Sequence, residues 1–297
     1  PDSPCFRGHM GSKPWVVAHV ERDNDEFDLA VYESHDIAKD PLRASTGWGR
    51  SGFREIEKAL DVLNAQALID VGANLGWYSF AFATRGRKAL MIEPFGPNVD
   101  LLNTSFCLNP ARERYIGLMP IGLDNSSRRC DLYQLADGPT YGDAQAVCDR
   151  KNADVDPSLT KQGEMETFLL DDVIPEEFRS TSKVVRLDLG GHELAAIKGM
   201  STLLQDELQR PLLIQSTFSA ANPNPVEPDA YLRFMHGLGY DPHPASRQIA
   251  PGQFSKRAPT LAMLVTNGTA ATDVIFERPA LRDFYGRMMM SRLMSKQ

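Results

Sequence analysis

The sequence predicts an α/β domain built on a mostly parallel, doubly wound sheet, and three observations predict it. A short apolar run, Ala67-Leu68-Ile69-Asp70-Val71, breaks at glycines and restarts as the apolar-faced segment Trp77-Tyr78-Ser79-Phe80. A second run, Lys88 to Ile92, ends in Glu93-Pro94, and a third, Ser182 to Leu187, ends in Asp188. Strands that alternate with helix-length segments imply crossover connections and hence parallel pairing.

The first turn points to a nucleotide-containing ligand. Gly72 and Gly76 leave room for a close approach to the backbone, and a helix starting near Trp77 directs its unpaired N–H groups at that space. In a doubly wound sheet the ends of adjacent strands meet at one crevice, where Glu93 can accept hydrogen bonds from both hydroxyls of a ribose. A dinucleotide fingerprint places a glycine at its second position. Here that position is Asn74, within Asp70-x-Gly72-x-Asn74-x-Gly76. A bulkier polar residue suits a ligand without a pyrophosphate, and Asp70 would repel phosphate but attract an ammonium group. S-adenosylmethionine carries both a ribose and an amino-acid tail. A glycine-rich turn alone is also common structural punctuation, and a nicotinamide dehydrogenase is the alternative that Asn74 disfavours.

Three ordered blocks carry a family resemblance. Val71 to Ser79, Ile92-Glu93-Pro94-Phe95-Gly96-Pro97-Asn98, and Arg186-Leu187-Asp188-Leu189-Gly190-Gly191-His192-Glu193 resemble those of the FkbM methyltransferases. The resemblance runs over roughly residues 50 to 278. It implies a Rossmann-like class I methyltransferase sheet, mostly parallel with a C-terminal antiparallel hairpin, and a β-rich N-terminal extension. It also implies S-adenosylmethionine as cofactor and O-methylation of a small-molecule or carbohydrate-like acceptor. The candidate cofactor-binding residues are Asp70, Gly72, Ala73, Asn74, Gly76, Trp77, Glu93, Pro94, Asn98 and Gly122. The candidate catalytic residues are Asp188, His192 and Glu193. Asp188 and His192 would orient or deprotonate an acceptor hydroxyl, while Glu193 lies where a helix dipole favours its charge. A helix-start histidine bonded to backbone is the plainer reading of His192, and a first-turn carboxylate without chemistry is the plainer one of Glu193.

Two departures set this chain apart from the pattern. Gly190 stands where the family carries glutamate, and Pro211-Leu212-Leu213-Ile214 runs into Gln215 where the family again has glutamate. Loss of two carboxylates from the acceptor side motivates a second reading, a non-catalytic relative that uses the fold as a binding or scaffold module.

The remaining elements follow in order. Residues 1–50 read as an extension or cap, with extended stretches at Trp15 to Val20 and Phe27 to Tyr32. The main domain spans 51–278: helix Phe53 to Leu63, strand 67–71, helix 77–84, strand 88–92, helix 97–106 and strand Arg114 to Leu118. Ser126 to Leu135 reads as a hairpin, and 136–163 as a long loop, because turn formers and charge replace any periodicity there. A helix from Asp229 to Leu238 precedes a final strand pair, Thr260 to Thr266 and Thr272 to Phe276, turning at Asn267-Gly268. Residues 279–297 read as a C-terminal helix.

Composition narrows the partners. The 297 residues are 42% hydrophobic, enough for a sizeable core, and carry a net charge of −7. That balance disfavours nucleic acid, which needs a positive footprint. No run is long enough for a membrane span. The four cysteines, Cys5, Cys107, Cys130 and Cys148, lack metal-site spacing and read as free thiols, with a Cys130–Cys148 pair as the alternative. No metal is expected. Sequons at Asn103, Asn125 and Asn267 leave the compartment undecided. The default expectation is cytoplasmic, with a removed targeting segment left open by the start at Pro1.

Overall fold

The computed structural model describes residues 14–22, 25–33, 50–135, 144–148, 157–219, 228–244 and 271–281. The first elements are β1 (Trp15–Arg22), β2 (Asp25–Tyr32), α1 (Arg50–Val62), β3 (Ala67–Val71), α2 (Trp77–Ala83), β4 (Lys88–Ile92) and α3 (Gly96–Leu108). Next come β5 (Ile116–Met119), β6 (Gly122–Leu123), β7 (Arg128–Leu135), β8 (Gln145–Cys148), β9 (Leu159–Phe168), α4 (Leu170–Val173) and α5 (Glu176–Thr181). The chain continues through β10 (Ser182–Leu187), α6 (Glu193–Lys198), α7 (Ser201–Gln205), β11 (Leu213–Ser219), α8 (Pro228–Gly237), β12 (Asp241–Pro244) and β13 (Ala271–Glu277).

The main sheet runs β12-β13-β11-β10-β3-β4-β5. β4 pairs parallel with β5 and β10 with β11, whereas β13 is antiparallel to both β11 and β12. This is a Rossmann-like class I arrangement with C-terminal antiparallel strands and an N-terminal β-rich region. Thr260 to Thr266, the Asn267-Gly268 turn and most of the 279–297 tail lie outside the described residues. The chain divides into two compact units, Pro1–Trp48 with Asp70–Leu169, and Gly49–Ile69 with Leu170–Gln297.

In the first unit, α2 is buried along its whole length, because its sequence WYSFAFA is apolar on every face. β1 and β2 pair antiparallel, and Phe27 of β2 packs its ring on Trp77 and Phe80 of α2. Gly76 caps α2 in the left-handed region at φ 81°, and a Cβ there would lie 2.7 Å from Leu102 Cδ2. Gly76→Ala is therefore expected to cost about 2–4 kcal/mol, from left-handed strain plus overpacking. Urea unfolding checks this, and a loss under about 0.5 kcal/mol would contradict it.

The second sheet of this unit, β6-β9-β7-β8, revises three expectations. Residues 128–135 form one strand rather than a hairpin, because β7 finds its partners far along the chain, in β8 and β9. The stretch 136–163 is not all loop, since β8 and the start of β9 lie within it. Cys130 and Cys148 are register partners in β7 and β8 and are disulfide-bonded, not free, and Cys107 is disulfide-bonded as well. Structural disulfides belong to oxidising surroundings. The bridge spans 18 residues, so replacing both cysteines with alanine is expected to lower stability by about 2–3 kcal/mol. Denaturant midpoints measured with and without a dithiol reductant check it: the reductant should destabilise the parent more than the variant, which keeps only the disulfide of Cys107.

In the second unit α1 packs on β10, β11 and β13. Asp171 caps α7, its two carboxylate oxygens accepting from the N–H groups of Thr202 at 2.7 Å and Leu203 at 2.9 Å. Tyr231 of α8 hydrogen-bonds Ser216 of β11 at 2.8 Å and packs on Phe276 of β13. Sequon Asn103 lies within α3, Asn125 is exposed at the bend before β7, and Asn267 lies outside the described residues. Among the described residues no helix is long and apolar enough to cross a membrane.

Candidate functional site

The glycine turn after β3 is wound tightly: Gly72, Asn74 and Gly76 all have positive φ, at 72°, 52° and 81°. Gly72 and Ala73 donate their N–H groups to the Ile92 carbonyl at the end of β4, and Gly76 donates to Ala73. These bonds tie the turn to the neighbouring strand end. Glu93 follows at that end. Its Oε2 accepts from the Asn74 N–H at 2.8 Å and its Oε1 from the Phe95 N–H at 2.9 Å. The Asn98 side chain also bonds it.

Glu93 is wholly buried, and burial pushes its carboxyl up to about 7, against the lowering effect of these hydrogen bonds and with a smaller upward push from Asp70. Among the described residues no cation is paired with it. Two backbone N–H groups and the Asn98 amide take three of the about four lone-pair positions a carboxylate offers, so capacity is left for a further donor. A ribose hydroxyl would bring a neutral O–H donor to such a group. The donor set thus fits the ribose of S-adenosylmethionine.

The other cofactor-side candidates have the following surroundings. Asp70 is fully buried and accepts from Ser79 Oγ of α2 at 2.8 Å. Trp77 turns its ring onto Phe27. Asn98 places Nδ2 3.5 Å from Asn74 Oδ1. Pro94 separates Glu93 from the Phe95 amide that holds it. Gly122 lies in β6, where a Cβ would meet Met165 Sδ at 2.8 Å, so its missing side chain serves packing against β9.

The candidate catalytic residues lie in the second unit, at the end of β10. Asp188 accepts from Arg186 of that strand at 2.6 Å and is more than a third exposed. Gly190 and Gly191 follow at φ 59° and 102°, and His192 caps α6. Glu193 is buried and turns back on this loop, its Oε1 accepting from the N–H groups of Leu189 at 2.9 Å and Gly191 at 3.2 Å. Burial raises its pKa despite those bonds. Its visible work is to hold the glycine turn closed.

Residues 70–242 match the family model of the methyltransferase FkbM domain, more than half of the chain. The chain belongs to the FkbM methyltransferase family. No curated protein matches it. Among solved structures, methyltransferase FkbM from Methylobacillus flagellatus KT aligns at 16% identity and a TM-score of 0.42. That alignment covers 72% of this chain and 44% of the other, so this chain spans less than half the Methylobacillus protein. A TehB-like SAM-dependent methyltransferase from Corynebacterium glutamicum aligns at 10% identity over 83% of this chain and 98% of that one, with a TM-score of 0.39. Precorrin-6y C5,15-methyltransferase from Geobacter metallireducens aligns at 11% identity over 75% and 87%, with a TM-score of 0.37.

Three residues of this FkbM-family protein have contacts that the sequence did not reveal. Tyr32 donates to Asn98 Oδ1 at 3.0 Å from an element outside the family match. Arg186 supplies the cation beside Asp188. Gln215, read as a missing carboxylate, is buried and donates through Nε2 to Asp273 and Thr217, each at 3.1 Å. A glutamate there would set a second carboxylate against Asp273, so the amide suits its surroundings. Asp124, Cys130 and Cys148 bring ligand atoms within 4.8 Å of one another. The sulfurs are bonded to each other and Arg128 grips Asp124, so this cluster offers no thiolate to a metal.

Proposed function

We propose that this chain is an S-adenosylmethionine-dependent O-methyltransferase acting on a small-molecule or carbohydrate-like acceptor. The observation that carries the reading is the buried Glu93 carboxylate, which has acceptor capacity to spare and, among the described residues, no cation paired with it. In this reading Glu93 binds the ribose hydroxyls, Asn74 and Asn98 line the adenosine side with Pro94 and Gly122, and the turn of Gly72, Ala73, Gly76 and Trp77 shapes the approach. Asp70 adds negative charge that favours the ammonium tail. When bound, S-adenosylmethionine supplies a methyl group made electrophilic by its sulfonium. The protein's own part is alignment and removal of a proton from the acceptor hydroxyl. Asp188 takes that proton, aimed by Arg186, with His192 beside it in sequence to orient the hydroxyl. Glu193 holds the loop that carries them.

A second reading has its own support. Asp188 is engaged by Arg186 and Glu193 by backbone amides, and Gly190 and Gln215 replace two carboxylates of the family pattern. A binding module that retains cofactor without transfer fits those facts. Incubation with methyl-tritiated S-adenosylmethionine and a panel of sugars, polyols and small hydroxy compounds separates the two. Label on an acceptor oxygen, lost in Asp188→Asn, supports transfer. Cofactor binding with no label on any acceptor supports the module.

A further inference from the structure

We infer that the N-terminal hairpin completes the cofactor site, with Tyr32 as the positioning residue that fixes the Asn98 carboxamide and, through it, Glu93. The inference rests on the cofactor reading above. β2 is clipped along α3 at three points. Asp28 exchanges hydrogen bonds with Asn109, its N–H donating to Oδ1 at 3.0 Å and its carbonyl accepting from Nδ2 at 2.6 Å. The Ala30 N–H donates to Ser105 Oγ at 2.9 Å, and the Tyr32 hydroxyl donates to Asn98 Oδ1 at 3.0 Å. Asn109, Ser105 and Asn98 descend α3 toward its N-terminus, which begins just after Glu93. The strand thereby delivers its last side chain to the cofactor end of the helix.

That side chain settles which end of the Asn98 amide faces Glu93. An ionised carboxylate only accepts, so Asn98 must turn its NH2 toward it and leave Oδ1 for a donor. Tyr32 is that donor. Both residues are buried, and burial, then Glu93, then Asp100 push the phenol's pKa upward, so the hydroxyl keeps its proton. Without the hydroxyl the amide is free to flip, presenting its oxygen to the carboxylate. Glu93 is faced by Asp70 from β3 and Tyr32 from β2, and Tyr32 by Asp100 from α3.

The test is Tyr32→Phe in the full chain, titrated calorimetrically with S-adenosylmethionine from pH 6 to 8. Apo unfolding is followed over the same range, and Ser105→Ala serves as the comparison. We expect affinity at pH 7 to fall about tenfold and the pH midpoint of binding to move upward. The upper end of the pH range over which apo stability declines should move upward as well, a readout that needs no cofactor. Ser105→Ala removes a neighbouring clip and should lower stability without moving either midpoint. A folded Tyr32→Phe protein with parental affinity and parental midpoints would overturn the inference, as would equal midpoint shifts in both variants. If the parent binds no S-adenosylmethionine, the cofactor reading fails, and the apo midpoints alone still decide whether Tyr32 acts on Glu93.

Discussion

Glu93→Gln is expected to weaken S-adenosylmethionine binding by about 100-fold or more and to abolish a pH dependence of stability in the same protein. Loss of a charged acceptor for the ribose accounts for the first effect, at about 1.5–3 kcal/mol for each hydrogen bond lost. The second follows from burial. Glu93 ionises near 4.5 in the unfolded chain and is pushed up to about 7 in the fold, so the folded state binds the proton more tightly. Its contribution to stability is therefore complete below pH 4.5 and is lost as pH rises to about 7, a swing of about 3 kcal/mol. Glutamine cannot ionise and loses this slope, though its NH2 must face one of the two backbone amides that the carboxylate accepts, costing about 1 kcal/mol. Urea unfolding at pH 5 and pH 8 should show the variant gaining about 2–3 kcal/mol relative to the parent at the higher pH. Parallel pH profiles for the two proteins would show that Glu93 titrates normally.

Asp188→Asn is expected to lower kcat by about 100- to 1,000-fold while changing cofactor affinity less than about twofold. The amide keeps the size and can still meet Arg186, so the fold is preserved while the base is removed. Single-turnover rates at saturating cofactor measure the chemical step directly. A fall smaller than tenfold would reduce Asp188 to the anion that neutralises Arg186. His192→Ala is the natural companion, because a residue that only orients the acceptor should raise KM more than it lowers kcat.

How far the sequence spoke depended on the range of the interaction. The turn from Val71 to Trp77 and the strand end at Glu93 were legible, because glycine spacing and apolar periodicity are local signals. The edges of β3, β4 and β10 were legible for the same reason. The Cys130–Cys148 bond was legible only as an alternative to free thiols, since it depends on the register of two strands, one inside a stretch with no periodicity. The partner of Asn98 was hidden as well, because Tyr32 lies 66 residues away and reaches it only through the docking of β2 on α3. Gln215 shows a different limit. Set against the family pattern it reads as a loss, whereas beside Asp273 it is the residue able to donate. The role of Glu193 changed likewise: its position in the first helical turn was readable, but not that its carboxylate turns back to hold the amides of Leu189 and Gly191.

The most direct test of the central claim is calorimetric titration of the parent protein and Glu93→Gln with S-adenosylmethionine and its demethylated product, from pH 6 to 8. The predicted result is binding by the parent with affinity falling about tenfold per pH unit below about 7, proton release on binding at the lower pH, and loss of both in the variant. Absence of binding in folded parent protein, or binding that Glu93→Gln leaves intact, would contradict the assignment of this carboxylate to the cofactor.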